Sequence, residues 1–357
     1  MCQVLEQLLA QGALGLSLGL IYPPGSFCNT NELYALAKVV ADADKILAVH
    51  LRDEGRNIFH ALDEIIDVAA RTGVRLQISH LKLMGATQMG NADELLERLD
   101  QARAQGIQIS CDQYPYTASN TTLCAILPLW AMDGGTDALL QRLDNPAQWE
   151  QIITDGTPKL TERGGPTRII IGQTGNHYPE LEGKSLEEAA AHLGLPIWEA
   201  IRQLLLRTKT STSCVYHSMD PGDMLTIMVR PDIATASDGV AYDLSNLPGR
   251  PHPRSTSTFP RFLRIVREEK LMPLEDAIYK ITALPAKLIG LGDQIGQVKE
   301  DFPADLTIFD SDKISDQATF EDPSQTPTGI HAVLVNGVPV LQNGVLSNSR
   351  PGLFYSG

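Results

Sequence analysis

Short apolar runs alternate with helical patterns over the first 120 residues and again after residue 232. The runs show little polar alternation, which is typical of strands in a parallel sheet that helices cover on both faces. The pattern predicts parallel strands, ordered in space as in the sequence, at about 13–20, 46–51, 74–80, 107–113 and 233–238. It predicts helices at about 2–11, 30–40, 57–71, 91–104, 260–269 and 274–282.

The alternation stops between about residues 120 and 232. Turn-rich stretches surround one strand-like run at 168–172 and two helical patterns at 185–193 and 197–207. We interpret this stretch as a long insertion that carries small elements of its own.

Short β segments follow from about residue 293 to the end. The Asn336-Gly337 pair predicts a hairpin turn between two of them. The predicted organisation is an α/β unit over 1–292, which contains the insertion, and a small β appendage over 293–357.

Composition narrows the class of protein. The 357 residues are 43% hydrophobic and 20% charged, and 29 basic against 43 acidic residues give a net charge of −14. A nucleic-acid binder would need a basic surface, so this balance argues against one. No run of ~18 apolar residues predicts a membrane span, the N-terminus lacks the features of a signal peptide, and the five cysteines show no paired spacing. We expect a cytoplasmic protein without a nucleic-acid or membrane partner.

Three predicted strands end in residues that bind metals or move protons: His50, His80 and Asp238. Each of these residues alone could equally have a structural role, but all three stand at the same place, the carboxyl end of a predicted strand. Side chains at the carboxyl ends of barrel strands converge on one site. Two imidazoles and a carboxylate then suit a zinc-type site that keeps one position open for water. We expect these groups within roughly 3–7 Å of a common point.

A cation stands two residues after each histidine, Arg52 after His50 and Lys82 after His80. Both would face the same mouth and could bind a substrate carboxylate. The alternative interpretation is that they are solvated loop charges.

Seven motifs in one order resemble the N-acyl-D-amino-acid deacylases of the amidohydrolase superfamily: GALGLSLGLIYPPG, AVHLRDEG, QISHLKLMG, DQYPYTAS, ASDG, HPRSTSTFPR and ITALPAKLIGL. The resemblance implies a (β/α)8 TIM barrel of the metal-dependent hydrolase type beside a small β-sandwich. It implies Zn²⁺-dependent hydrolysis of an N-acyl-D-amino acid, a small anionic amide, to a D-amino acid and a carboxylate.

The resemblance also implies roles for individual residues. His50 and His80 match zinc ligands, and Asp238 matches the catalytic aspartate, which would take a proton from water and return it to the leaving nitrogen. Four further residues lie in motifs near the substrate: Lys82, Tyr114, Tyr116 and Arg254. We expect His252 to shape the loop that presents Arg254. For His217 we predict neither a place at the site nor a place away from it. The remaining histidines should lie elsewhere: His60, His177, His192 and His331.

The sequence departs from the family at its start. It contains no H-x-H pair, lacks the family's upstream cysteine ligand, and begins just before a run that resembles barrel strand four. These departures predict an N-terminally incomplete barrel of strands four to eight, whose exposed edges favour self-association. They also predict weak zinc binding and slow turnover.

Two alternatives stay open. One is a dihydroorotase-like or hydantoinase-like cyclic amidase, although the lysine that such enzymes usually carry on strand four is absent from ALGLSLGL. The other is a non-catalytic remnant or subunit of an amidohydrolase.

Overall fold

A five-stranded parallel sheet forms the centre of the computed structural model, which describes residues 1–356 apart from the side chain of Ser245. Its strand order is β1-β2-β3-β4-β8, so the predicted parallel arrangement in sequence order is confirmed. The strands are β1 (Gly15–Gly19), β2 (Ile46–His50), β3 (Arg75–Ile78), β4 (Ile109–Gln113) and β8 (Ile233–Thr235). The sheet ends at β1 on one side and at β8 on the other.

Eight helices accompany this sheet: α1 (Cys2–Ala10), α2 (Thr30–Asp42), α3 (Ile58–Thr72), α4 (Ala92–Ala104), α9 (Pro221–Met228), α10 (Arg254–Glu269), α11 (Leu274–Ile281) and α12 (Ala283–Leu288). Helix α3 shows why they pack as they do. Ile58, Leu62 and Ile65 recur at helical spacing and are buried, and the helix ends where Gly73 adopts a left-handed φ of 72°.

Helix α10 begins earlier than the sequence predicts. The sequence pattern predicts a helix at about 260–269. In the structure the helix already runs from Arg254 and includes Pro260 in its interior. The early start brings Arg254 into the same region as the strand ends.

The insertion contains a three-stranded antiparallel sheet with the order β5-β7-β6. Its elements are β5 (Ser119–Thr122), α5 (Gly135–Asp144), α6 (Pro146–Glu162), β6 (Ile169–Gln173), α7 (Leu186–Leu193), α8 (Ile197–Arg207) and β7 (Ser213–Tyr216). A separate apolar core, which includes Trp149, Ile152 and Leu204, holds them together.

The C-terminal segment folds as a four-stranded antiparallel sheet with the order β12-β11-β10-β9. The strands are β9 (Leu306–Phe309), β10 (Ile330–Val335), β11 (Val338–Gln342) and β12 (Val345–Leu346). Asn336 and Gly337 connect β10 to β11 with φ angles of 48° and 75°, which confirms the predicted hairpin turn. Among residues 1–356, no helix has the length and apolar character needed to cross a membrane.

Candidate functional site

A cavity of about 690 Å³ opens at the carboxyl ends of the parallel strands. Its floor is lined by His80, Lys82, Glu54, Asp238 and Arg254. His50, the last residue of β2, contacts His80. We call these six residues the floor cluster. The strand phase read from the sequence therefore brings His50 and His80 together and places Asp238 on the same cavity.

The two histidines face each other through ring nitrogens. Nδ1 of His50 and Nε2 of His80 are in direct contact, and the ring centroids are 4.3 Å apart. Burial, and then the neighbouring His80, lower the pKa of His50, which favours the neutral imidazole that binds metals. Two converging imidazole nitrogens fit two ligands of a divalent transition metal. Residues 1–356 contain no group of three or more His, Cys, Asp or Glu side chains placed to hold an ion.

A buried ion pair fixes the orientation of His80. Lys82 Nζ donates to Glu54 Oε1 at 2.6 Å and lies 2.7 Å from His80 Nδ1, while Glu54 Oε1 is 3.0 Å from the same nitrogen. Burial alone would raise the pKa of Glu54, but Lys82 and His80 outweigh it and hold that pKa well below its usual range. The Glu54 carboxylate at Nδ1 favours a proton on that nitrogen, which leaves Nε2 free to act as a ligand, whereas the Lys82 ammonium favours a bare Nδ1. The two contacts therefore fix the position of the ring and not its tautomer.

Asp112, which the sequence analysis did not single out, holds the backbone of His80. Its carboxylate accepts from the His80 backbone N–H at 2.8 Å and from Gln77 Nε2 at 2.7 Å. His80 has a left-handed φ of 42°, an uncommon conformation for a residue with a Cβ. A signal was available, since Asp112 lies at the carboxyl end of β4, in the same part of its strand as His50 in β2.

Asp238 and Arg254 form the other side of the floor. Arg254 Nη1 donates to Asp238 Oδ2 at 2.8 Å, and the guanidinium lies 4.8 Å from the centroid of the Tyr114 ring. Asp238 also has a left-handed φ, of 47°. A Cβ added to Gly239 would lie 2.8 Å from Ser255 Cα, so only glycine fits this contact.

His252 shapes the loop before Arg254, as predicted. Its Nδ1 accepts from the Arg254 backbone N–H at 3.0 Å, and its Nε2 donates to the Ala118 carbonyl at 3.0 Å. Burial holds the pKa of His252 well below its usual value. The neutral ring can therefore accept at one nitrogen while it donates at the other.

Tyr114 lies on the cavity, whereas Tyr116 does not. The Tyr114 hydroxyl is buried and has no hydrogen-bond partner among the described residues, which suits a group that waits for a ligand. Tyr116 instead packs edge-on against His252 at 4.9 Å and beneath Arg261 at 4.5 Å. The proposed contact of Tyr116 with substrate therefore has no support in the geometry.

Arg52 and Lys82 are already paired within the protein. Arg52 makes two bonds to Glu64, at 2.8 and 3.1 Å, and one each to the carbonyls of Ser26 and Cys28, at 3.0 Å. Lys82 is 3% exposed and bonded to Glu54. These contacts indicate positioning residues. Arg254 is also paired, but among the described residues its guanidinium has one hydrogen-bond partner, Asp238, so its other N–H groups leave it the best placed of the three for a substrate carboxylate.

The other histidines lie away from the floor cluster. Four of them are exposed: His60, His177, His192 and His331. His217 packs edge-on against Phe320, with ring centroids 4.6 Å apart, and is absent from the cavity lining. The structure thus separates His50 and His80 from the remaining histidines, as predicted.

Known proteins resemble this chain in sequence. Residues 248–341 match the Amidohydrolase family. The chain is 33% identical over 348 residues to the D-aminoacylase of Alcaligenes xylosoxydans xylosoxydans, covering 97% of this chain and 62% of the relative. It is 34% identical over 352 residues to the N-acyl-D-glutamate deacylase of the same organism, covering 98% of this chain and 62% of that relative.

A solved relative has the same fold. The zinc and phosphonate inhibitor complex of the N-acyl-D-glutamate deacylase from Bordetella bronchiseptica superposes with a TM-score of 0.80 at 30% identity, covering 100% of this chain and 65% of that chain. The chain spans about 62% of the length of the curated relatives that it matches. Over nearly its whole length the chain is therefore similar to N-acyl-D-amino-acid deacylases, and residues 248–341 match the Amidohydrolase family.

Proposed function

We propose that this protein hydrolyses the amide bond of N-acyl-D-amino acids and releases a D-amino acid and a carboxylate. The observation that carries the proposal is the contact between His50 Nδ1 and His80 Nε2 on the floor of a cavity that Asp238 and Arg254 also line. The similarity to curated deacylases at 33–34% identity supports this reaction class.

In this proposal His50 and His80 would hold a divalent metal, with zinc the first candidate because a similar deacylase is solved with zinc. When bound, such a metal polarises the acyl carbonyl and lowers the pKa of water. Glu54 and Lys82 keep the His80 ring in place. Because no described group supplies a third His, Cys, Asp or Glu ligand, we expect weak binding.

The protons move through Asp238. Its carboxylate accepts a proton from the attacking water as the new C–O bond forms, and it returns that proton to the nitrogen as the C–N bond breaks. Arg254 orients this carboxylate through the 2.8 Å ion pair. The Arg254 guanidinium and the unpartnered Tyr114 hydroxyl would bind the substrate's α-carboxylate.

We further propose that the five-stranded sheet belongs to a (β/α)8 barrel of the metal-dependent hydrolase type. The strand order, the parallel pairing and the superposition on a deacylase support this assignment.

A second candidate is a non-catalytic amidohydrolase relative. The absence of a three-residue metal group among residues 1–356 favours it. The two candidates differ in what zinc does. A deacylase should release D-methionine from N-acetyl-D-methionine, and not L-methionine from the L-enantiomer, when Zn²⁺ is added.

The decisive measurement is that assay on the wild type and on His80→Ala, with His60→Ala as a matched control at an exposed histidine. We expect zinc-dependent turnover in the wild type and the control and none in His80→Ala. Metal analysis by mass spectrometry should show the same order of zinc content. A wild-type protein that binds no zinc and releases neither methionine from N-acetyl-D-methionine nor glutamate from N-acetyl-D-glutamate would favour the non-catalytic candidate.

A further inference from the structure

Two basic side chains of the insertion face the same cavity as the floor cluster. Lys159 lies in the last turn of α6, and Arg163 follows directly after that helix. Both line the cavity, together with apolar residues of the insertion that include Leu129, Met132 and Leu139. The insertion therefore contributes both apolar and basic side chains to the cavity lining, and we call this part of the lining the insertion wall.

Neither cation has a carboxylate partner in the part of the chain that the structure describes. Each cation of the floor is paired: Lys82 with Glu54, Arg254 with Asp238 and, beside them, Arg52 with Glu64. By contrast, no hydrogen bond or ion pair within 4 Å is found for the charged groups of Lys159 and Arg163 among residues 1–356. Arg163 rests 5.3 Å from the centroid of the Tyr216 ring, a contact that leaves its N–H groups available.

The acidic residues of the cavity make no ion pair with these cations within the described residues, although they act on the pKa of Lys159, which burial and Arg163 lower and Asp53 and Glu162 raise. Asp53 accepts from the Gly55 backbone N–H at 2.8 Å, and Glu162 accepts from the backbone N–H of Arg56. Asp133 lies exposed at the rim. A half-buried, unpaired cation attracts an anion more strongly than the same cation in bulk water, because the surroundings are less polarisable.

Arg163 acts on the same residue as two members of the floor cluster. Tyr22 lines the cavity, and its hydroxyl accepts from Thr121 at 3.3 Å. Burial is the main cause that raises the pKa of Tyr22. Glu54 and Asp238 of the floor raise this pKa further, whereas Arg163 lowers it. Because the floor residues, Lys159 and Arg163 line one cavity of about 690 Å³, a single ligand can meet both sets of charges.

We infer that Lys159 and Arg163 form a subsite for a second anionic group of the substrate. The inference rests on the proposed deacylase function and names its substrate class: N-acyl-D-amino acids that carry a carboxylate in addition to the α-carboxylate. That second carboxylate can come from the amino-acid side chain or from the acyl group, and the two sources share one chemistry.

The test uses matched ligand pairs that differ in charge and little in size. N-acetyl-D-glutamate and N-acetyl-D-glutamine probe the side-chain source, and N-succinyl-D-leucine and N-butanoyl-D-leucine probe the acyl source. Binding is measured by calorimetry on zinc-loaded full chain in an Asp238→Asn background, so that ligand is not consumed. We expect the anionic member of one pair to bind about tenfold more tightly than its neutral partner, as a charged hydrogen bond implies.

The variants Lys159→Met and Arg163→Gln, made separately, should remove most of this preference while the neutral ligands bind as before. Lys209→Met is the control, because it removes an exposed lysine of the insertion that does not line the cavity. Equal affinity within both pairs, or a preference that survives both variants, would overturn the subsite and leave the deacylase proposal intact. No binding of any of the four ligands would contradict the proposed function itself, and the subsite with it.

Discussion

Charged side chains cluster at both ends of the parallel sheet, but the two clusters are built differently. At the carboxyl end, Glu54 and Lys82 are paired in isolation from water, with side chains 9% and 3% exposed. At the amino end, Asp100, Arg103, Arg230 and Asp232 form a half-exposed network of ion pairs with distances from 2.6 to 3.2 Å. Charge alone therefore does not mark a functional site in this molecule.

The carboxyl end combines two features that the four-residue network lacks. It surrounds a cavity, and it contains left-handed backbone at His80 and Asp238. A buried polar atom without a partner occurs at both ends, the Tyr114 hydroxyl at one and Arg103 Nη2 at the other. Strained backbone persists only where the surrounding structure holds it, and it is concentrated at functional sites. The comparison teaches that the floor is arranged for a ligand, whereas the amino-end network links α4 to the start of β8.

The largest effect should come from Asp238→Asn. Removing the proton acceptor should reduce turnover of an N-acyl-D-amino acid by roughly 10²–10⁴-fold, measured as amino-acid release with added zinc. Asp301→Asn is the matched control, since Asp301 is exposed and also has a left-handed φ, of 66°. Unchanged turnover in Asp238→Asn would contradict the conclusion that the carboxyl end of the sheet, unlike the amino end, is a functional site.

Breaking the buried pair comes next. Glu54→Gln should lower the free energy of unfolding of the metal-free protein by about 3–5 kcal/mol, because it leaves the Lys82 charge buried without a partner. Urea denaturation measures this loss. The double variant Glu54→Gln/Lys82→Met should be more stable than Glu54→Gln alone. A double variant that is no more stable would show that the buried charge is not the cause.

The amino end also holds a buried lysine, Lys280, and it tests the comparison through pH. Its Nζ donates to the carbonyls of Arg230 and Ile233, and burial lowers its pKa from 10.5 to about 8. Between these two pH values the unfolded chain binds more protons than the folded one, so this contribution to stability rises with pH. Below pH 8 the buried Lys280 ammonium destabilises the folded protein by its full amount, and this destabilisation disappears as the pH approaches 10.5.

The expected result is a difference curve. The unfolding free energy of the wild type minus that of Lys280→Met should increase by about 3 kcal/mol between pH 7 and 10.5. The same difference for the exposed Lys209→Met should stay flat. A flat curve for Lys280→Met would mean that the two backbone carbonyls stabilise the ammonium as well as water does.

The smallest effect should come from the half-exposed network. Asp100→Asn should lower the free energy of unfolding by less than about 1 kcal/mol, because solvent screens these pairs. The loss should shrink further in 0.5 M sodium chloride, which thermal denaturation at two salt concentrations would detect. If Asp100→Asn lowered the free energy of unfolding as much as Glu54→Gln does, the half-exposed network would stabilise the protein as strongly as the buried pair.

The positions of the main strands could be predicted from the sequence because period and turn residues are local properties. β2 and β3 lie within their predicted ranges, and the end of β2 carries His50 as expected. Strands β5 and β7 of the insertion were missed. They are four residues long, and Ser119–Thr122 is polar throughout, so neither an apolar run nor alternation marks β5.

Partners of charged residues could not be predicted in the same way. The sequence shows Arg52 two residues after His50, but not that α3 brings Glu64 to its guanidinium. It shows Glu54 and Lys82 in separate loops, but not their 2.6 Å contact. Such pairings depend on how helices pack against the sheet, which the hydrophobic pattern along a single strand does not encode.

Gly239 has a consequence for how this protein can change under selection. Because its α-hydrogen points at the backbone of Ser255, no side chain at 239 or 255 can be exchanged to create space there. The strand end that carries Asp238 and the helix that begins at Arg254 are thus held in close main-chain contact, in addition to the ion pair between those two side chains. A mutational library aimed at new substrates should therefore accumulate its accepted changes in the insertion wall, while position 239 stays invariant among the active clones.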